Sequence, residues 1–420
     1  MREATFRRLR LFLVTAACAY LALLPTGALS SWRSIAFASS AAAAIAVAVL
    51  GHRERASVPS IGIAIPAAVA AWATWSIASL LWSVDFAFSA REIRGDVLWG
   101  LAAIVIFYVA ASTSEAAFRA LAATSIAALA FWVALAIGFA IAGGGLDLRP
   151  FHRGEGAFTT YLVTLSPFLA LLCWRPPAGF ATHPRTFGVA IFIGVLVVIA
   201  ARLSSNRVVW LAFATAVIVI ALAMRTQIPA ARRLAVALAV IAVCALSFTH
   251  AARDRAVALR GEGGDVAPTL ATDPRLAIWK HSIDRIGDRP WLGHGYGSHI
   301  VGAAIGSDTG DPRVLHAHNL FASQWLQTGV VGLVLFLGMV GAVAAAYLRF
   351  VRSGDPTLVA LGAVGLAVIA GYLVRNLTDD FFLRANGKLL FAANAVLLGY
   401  GALRLKRASG GAERATATAR

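Results

Sequence analysis

The stretch HAHNLFASQWLQTGVVGLVLFLGMVGAVAAAYL, residues 316–348, opens on two imidazoles and an amide and then runs on without one charged side chain. About 20 apolar residues carry a helix across the hydrocarbon core of a bilayer, so the segment from Asn319 onward reads as a membrane span with polar groups at its mouth. The pattern recurs along the chain. Apolar runs over 9–29, 33–50, 61–82, 97–111, 120–142, 158–174, 187–201, 208–224, 234–249, 319–348, 357–374 and 388–403 predict about twelve spans.

Composition agrees. The 420 residues are 59% hydrophobic and 14% charged, with mean hydropathy +0.76. Soluble proteins carry about 25% charged residues, and an aqueous fold of this size could not hide so much apolar surface. A backbone in lipid must satisfy its own hydrogen bonds, and long unbroken runs select helices over a barrel of short alternating strands. The expected fold is an all-α polytopic membrane protein. It has a transmembrane helical domain over 1–405 and one large outer loop over 250–317, inserted between spans nine and ten. A basic cytoplasmic tail over 406–420 is expected to be disordered. Arg7, Arg8 and Arg10 precede the first run, and the cleavage signal near Ala28 is poor, so that run reads as an anchor.

Lys and Arg set the orientation. Just over half of the 37 lie in segments that fall on one side if the N-terminus is cytoplasmic, among them MREATFRRLR, MRTQIPAARR and the tail. Both termini are then inside and the long loop outside. The net charge of +17 is mostly this bias and does not indicate nucleic acid, because no soluble segment carries a basic stripe with interleaved aromatics. Cys18, Cys173 and Cys244 sit in apolar runs, and the outer loop has none to staple it. No repeat of 20–50 residues is present. Paired broken helices and mid-span charges, which mark transporters, are absent as well.

The outer loop has its own punctuation. THAARDRAVALRGEGG extends the preceding helix to a cluster of glycines. DPRLAIWKHSIDRI predicts a short amphipathic helix with Asp273 as cap and Pro274 in the first turn. GDRPWLGHGYGSH breaks it, its glycines permitting tight turns or close backbone approach. His316 and His318 are two apart, with Asp308 and Asp311 upstream. No His-Glu-x-x-His or cysteine pair accompanies them, so no metal is expected. His294 lies in a glycine run that is not a nucleotide loop, since no strand precedes it.

His318-Asn319, nine residues, Gly329, two residues and Gly332 resemble the signature of bacterial O-antigen ligases and related polymerases. RPWLGHGYGSH is similar to that family's approach to the histidine, SSNRVVWLAF at 204–213 to its Ser-x-Arg start of a span, and SLLWSVDFAFS at 79–89 to an early recurring feature. The resemblance is sharpest over 275–332 and, in topology, covers most of the chain. It implies transfer of a glycan from an undecaprenyl pyrophosphate carrier to a hydroxyl of lipid A–core, on the periplasmic side of the inner membrane. The same chemistry would serve an O-antigen or exopolysaccharide polymerase, with a growing glycan as acceptor. A transporter of such lipids is the reading from another class.

The chemistry fits these residues. A lipid pyrophosphate leaves with negative charge, so cations should face it. Arg207 at the start of a span and Arg275 in the outer-loop helix are the first candidates, with Arg202 and Arg289 behind them. Ser204 and Ser205 would assist Arg207. The acceptor hydroxyl is a poor nucleophile, and a base positioned on its proton contributes about 10²–10⁴-fold. His318 is the expected base, kept neutral by nearby arginines, with His316 and Asn319 as positioning groups. Gly329 and Gly332 are expected to permit close packing. Arg375, Asp379 and Asp380 in RNLTDDFFLRANGK form an outer cluster expected to pair internally. No cofactor is expected, because the donor carries its own activation.

Overall fold

The computed structural model describes residues 2–53, 58–143, 154–173, 184–204, 206–260, 274–309 and 316–418. Among them every regular element is helical and no strand occurs. In chain order the helices begin with α1 (Arg2–Leu23), α2 (Ser30–Arg53), α3 (Ala64–Ala78), α4 (Phe86–Glu92), α5 (Trp99–Ser112) and α6 (Glu115–Gly143). Then follow α7 (Gly154–Leu165), α8 (Pro184–Leu203), α9 (Val208–Ala223) and α10 (Ala230–Arg260). The last five are α11 (Pro274–Asp288), α12 (Gly302–Thr309), α13 (Leu320–Val351), α14 (Pro356–Arg375) and α15 (Arg384–Thr418).

All twelve expected spans fall on helices, and ten are long and apolar enough to cross a membrane. The other two are α1, which carries Arg7, Arg8 and Arg10 in its first half, and α9, with sixteen residues. The chain is a multi-pass membrane protein. The helical extension through Arg260 and the amphipathic helix of the long loop are both present as α10 and α11. Asp273, its expected cap, lies outside the described residues, as do Ser205 and Asp311. One expectation differs: the tail after Lys406 continues α15 as helix to Thr418. Adding a residue to an existing helix costs far less than nucleating one, so a strong span propagates into weak sequence.

Helices α14 and α15 form the centre. α15 lies along α5, and α14 lies against α9 and α13. Their starts are set by local chemistry. Asp355 caps α14 by accepting from Thr357 N (2.7 Å), with Pro356 in the first turn, and the same carboxylate takes Arg404 of α15 at 2.6 Å. Mid-bundle, the Tyr347 hydroxyl reaches Asn394 Oδ1 at 2.9 Å, a buried polar pair that satisfies itself across α13 and α15. At the opposite end of α14 and α15 from the Asp355–Arg404 pair lie the connections that carry almost every candidate residue.

Candidate active site

The two histidines sit in the turn that enters α13. His318 holds φ +47°, a left-handed conformation that a side chain adopts only at some cost. Asn319 then goes extended and caps the helix, its Oδ1 accepting from Phe321 N and Ala322 N at 2.9 and 3.0 Å. Its Nδ2 donates to the carbonyl of Leu377 at 2.8 Å, which ties the mouth of α13 to the turn after α14. From α11, Trp279 Nε1 donates to the His318 carbonyl at 3.4 Å. Three chain segments therefore fix the turn that carries this imidazole.

Asp379 is what the histidines face. Its Oδ1 lies 3.4 Å from His318 Nδ1 and 3.5 Å from His316 Nε2. The two rings stand 3.9 Å apart, and His299 stacks on His316 at 5.4 Å. The other Asp379 oxygen meets Arg375 Nη2 at 3.4 Å. Arg375 is buried on the last turn of α14, where its Nε donates to Thr159 Oγ1 (3.0 Å) and its Nη2 to the Gly156 carbonyl (3.2 Å) on α7. Burial pushes the Asp379 carboxyl up, but the facing imidazoles of His316 and His318 and the Arg375 charge outweigh it. The group is held well below the usual carboxylate range. The expected internal pairing of Arg375 with Asp379 is present. The charge that faces the His318 ring is a carboxylate.

The loop 289–297 braces this mouth. Gly329 interrupts α13 with φ +69°, ψ −178°, a conformation essentially reserved for glycine. A Cβ there would run into the carbonyl of Trp291. Through that gap His294 N donates to Leu326 O (2.8 Å), Gly295 N to Gln327 O (2.9 Å) and Val330 N to Pro290 O (2.9 Å). The segment 79–89 holds the loop from the other side. Trp82 Nε1 donates to Leu292 O at 2.8 Å, and Tyr296 N donates to Ser79 Oγ at 3.1 Å. The glycines of GHGYG thus serve backbone contact within the protein. His294 is buried, with Nε2 2.9 Å from the Arg285 carbonyl.

The other candidates separate. Arg275, half-buried in the first turn of α11, is near enough to Arg375 for their charges to interact. Arg207 is half-buried at the start of α9, beside Asn206, whose side chain accepts from Val208 N at 3.1 Å. Arg202 is committed to an exposed ion pair with Asp254 of α10 at 2.6 Å. Arg289 is exposed and donates to the Trp82 carbonyl at 3.1 Å. What the sequence left unjoined is the link from Asp379 to the two histidines, some sixty residues earlier in the chain. The polar cluster was visible in RNLTDDFFLRANGK, but no spacing rule couples it to HAHN.

His316, His318 and Asp379 also bring two imidazole nitrogens and a carboxylate oxygen within 4.8 Å of one another, a donor set that a divalent transition metal accepts. Arg375 argues the other way, because the guanidinium already supplies a cation to the same carboxylate and would repel a second.

No curated protein matches the chain. Residues 190–337, from α8 into α13, match the family model described as O-antigen ligase, and across that segment, which holds His316, His318 and Asn319, the chain is O-antigen ligase-like.

Proposed function

We propose that the protein transfers a glycan from undecaprenyl pyrophosphate to a hydroxyl of lipid A–core at the periplasmic face of the inner membrane, with His318 as general base. The observation that carries this is the His318–Asp379–Arg375 arrangement. His318 Nδ1 is buried beside Asp379, while the side chain keeps 28% exposure. The carboxylate favours the tautomer with the proton on Nδ1 and leaves the Nε2 lone pair for substrate. Nε2 takes the proton of the acceptor hydroxyl as its oxygen attacks the anomeric carbon. The bond from that carbon to the pyrophosphate oxygen breaks, and its electron pair leaves with the pyrophosphate. One displacement inverts the anomeric centre. Asp379 stabilises the imidazolium that forms, and Arg375 keeps Asp379 ionised and in place. Arg207 and Arg275 are assigned to the departing pyrophosphate, where planar forks match phosphate oxygens. Arg202 and Arg289, engaged by Asp254 and Trp82, are assigned minor parts.

The reaction as drawn is metal-independent and uses no cofactor. A polymerase would differ only in the acceptor. The test is His318→Ala in membranes supplied with the lipid-linked donor, with folding followed by thermal melting. Transfer falls by about 10²–10⁴-fold in a normally folded variant. Undiminished transfer would sink His318 as the base.

A further inference from the structure

A second charged centre lies a few residues further along the same connection. A cavity of about 390 Å³ opens where the starts of α2, α5, α7 and α15 meet, within the ~300–1,000 Å³ range of small-ligand sites. Arg33, Arg91, Arg94, Arg384 and Lys388 line it, against two carboxylates, Glu92 and Asp96. Phe381 joins the two centres: its ring lies 5.5 Å from the Arg375 guanidinium and also forms cavity wall.

The local pairing leaves a surplus of positive charge. Asp96 is buried and accepts from Arg384 N at 2.6 Å. Glu92 meets Arg384 Nη2 at 3.5 Å and Arg91 Nε at 3.6 Å. Arg33 spends Nη1 on the Thr26 carbonyl at 2.7 Å. Lys388 is half-buried yet makes no hydrogen bond or ion pair among the described residues, and Arg94 is exposed and likewise has none. Two further observations point to a ligand. The Tyr161 hydroxyl is buried without a partner, on a side chain that lines the cavity. Arg384, with φ +49°, is besides His318 the only other non-glycine residue at positive φ among those described, and such strain gathers at working sites. Trp99, Phe158 and Leu389 give the same cavity an apolar wall.

We infer that this cavity binds the phosphate-bearing headgroup of a glycolipid, placing the acceptor beside His318 while the donor pyrophosphate is held by Arg207 and Arg275. The clause about the acceptor rests on the proposed transferase reading; binding at the cavity does not. Guanidinium forks and an ammonium suit phosphate oxygens, and the apolar wall suits the sugar face or the first carbons of a lipid.

The experiment is direct binding to the full chain in detergent. The probes are diphosphorylated lipid A, the same lipid with both phosphates removed, undecaprenyl pyrophosphate, inorganic phosphate and phosphatidylglycerol. Wild type should prefer the phosphorylated glycolipid. Arg94→Gln with Lys388→Gln should weaken that binding by about tenfold for each cation removed, the factor that about 1.4 kcal/mol represents, and leave the dephosphorylated lipid unaffected. Lys388 lies near enough to the buried Asp96 for their charges to interact, so thermal melting checks the fold of each variant, and Arg94→Gln alone, whose exposed side chain has no partner among the described residues, gives the second reading. Equal binding by wild type and double variant overturns the site. Equal competition by inorganic phosphate or phosphatidylglycerol overturns the glycolipid, and a loss confined to undecaprenyl pyrophosphate makes the cavity a donor site instead. If His318→Ala binds normally and wild type binds the phosphorylated lipid but transfers nothing to it, the transferase reading fails and the cavity assignment stands.

Discussion

The Asp379 carboxylate is matched by a guanidinium and two imidazoles, whereas around Arg384, five residues on, cations outnumber carboxylates. In the first centre Arg375 is buried against Asp379 and hydrogen-bonded to α7, and the two imidazoles take up the remaining side of the carboxylate. In the second, Glu92 and Asp96 satisfy part of a larger set of cations, and Arg94 and Lys388 are left over. The difference teaches what each centre can do. A balanced, buried set holds one imidazole in one tautomer and has no charge to offer. An unbalanced, open set offers charge and takes its counter-ion from outside.

The comparison breaks most visibly on stability. Removing one partner of a buried ion pair strands the other, so Arg375→Leu should destabilise the protein by about 3–5 kcal/mol. Arg94→Gln should change it by about 0.5 kcal/mol or less. Denaturation of the two purified variants side by side decides it, and equal effects would erase the distinction between the centres.

A smaller effect sharpens it through pH. Asp380 is buried next to Asp379, and burial, with the charges of Asp379 and Asp96 adding to it, pushes its carboxyl up to about 7. An unfolded aspartate titrates near ~3.9. Between those values the folded state holds a proton that the unfolded state has lost. The contribution to stability is therefore complete below about 4 and is lost as pH rises through about 7. Asp380→Asn keeps an oxygen for the Phe382 amide and cannot ionise, so its melting temperature should gain on wild type between pH 5 and pH 8. A constant gap across that range would contradict a neutral Asp380. Asp379 is held low and stays ionised throughout this window, so it should add no slope of its own.

The smallest expected effect is none. If Arg375 is the cation that serves Asp379, a strong chelator should leave transfer within about twofold of the untreated rate, since a factor of two is under 0.5 kcal/mol. Loss of transfer on chelation, restored by a divalent metal, would turn the His316–His318–Asp379 trio into a metal centre.

The sequence by itself determined the helical membrane class, the positions of the spans and the residues worth watching. These are local properties: the length of an apolar run and the period of a loop helix. It also marked Gly329, though as an aid to helix packing rather than as the break through which the loop 290–295 bonds to α13. Which charges meet was decided only by tertiary structure. HAHN and the segment 375–388 are separated by all of α13 and α14, which run antiparallel and return the chain to the same end of the bundle. Arg33, Arg94 and Lys388 come from three distant spans. Electrostatic partners depend on distances of a few ångströms, and the winding of a dozen helices sets those distances while leaving no periodicity in the sequence to record them.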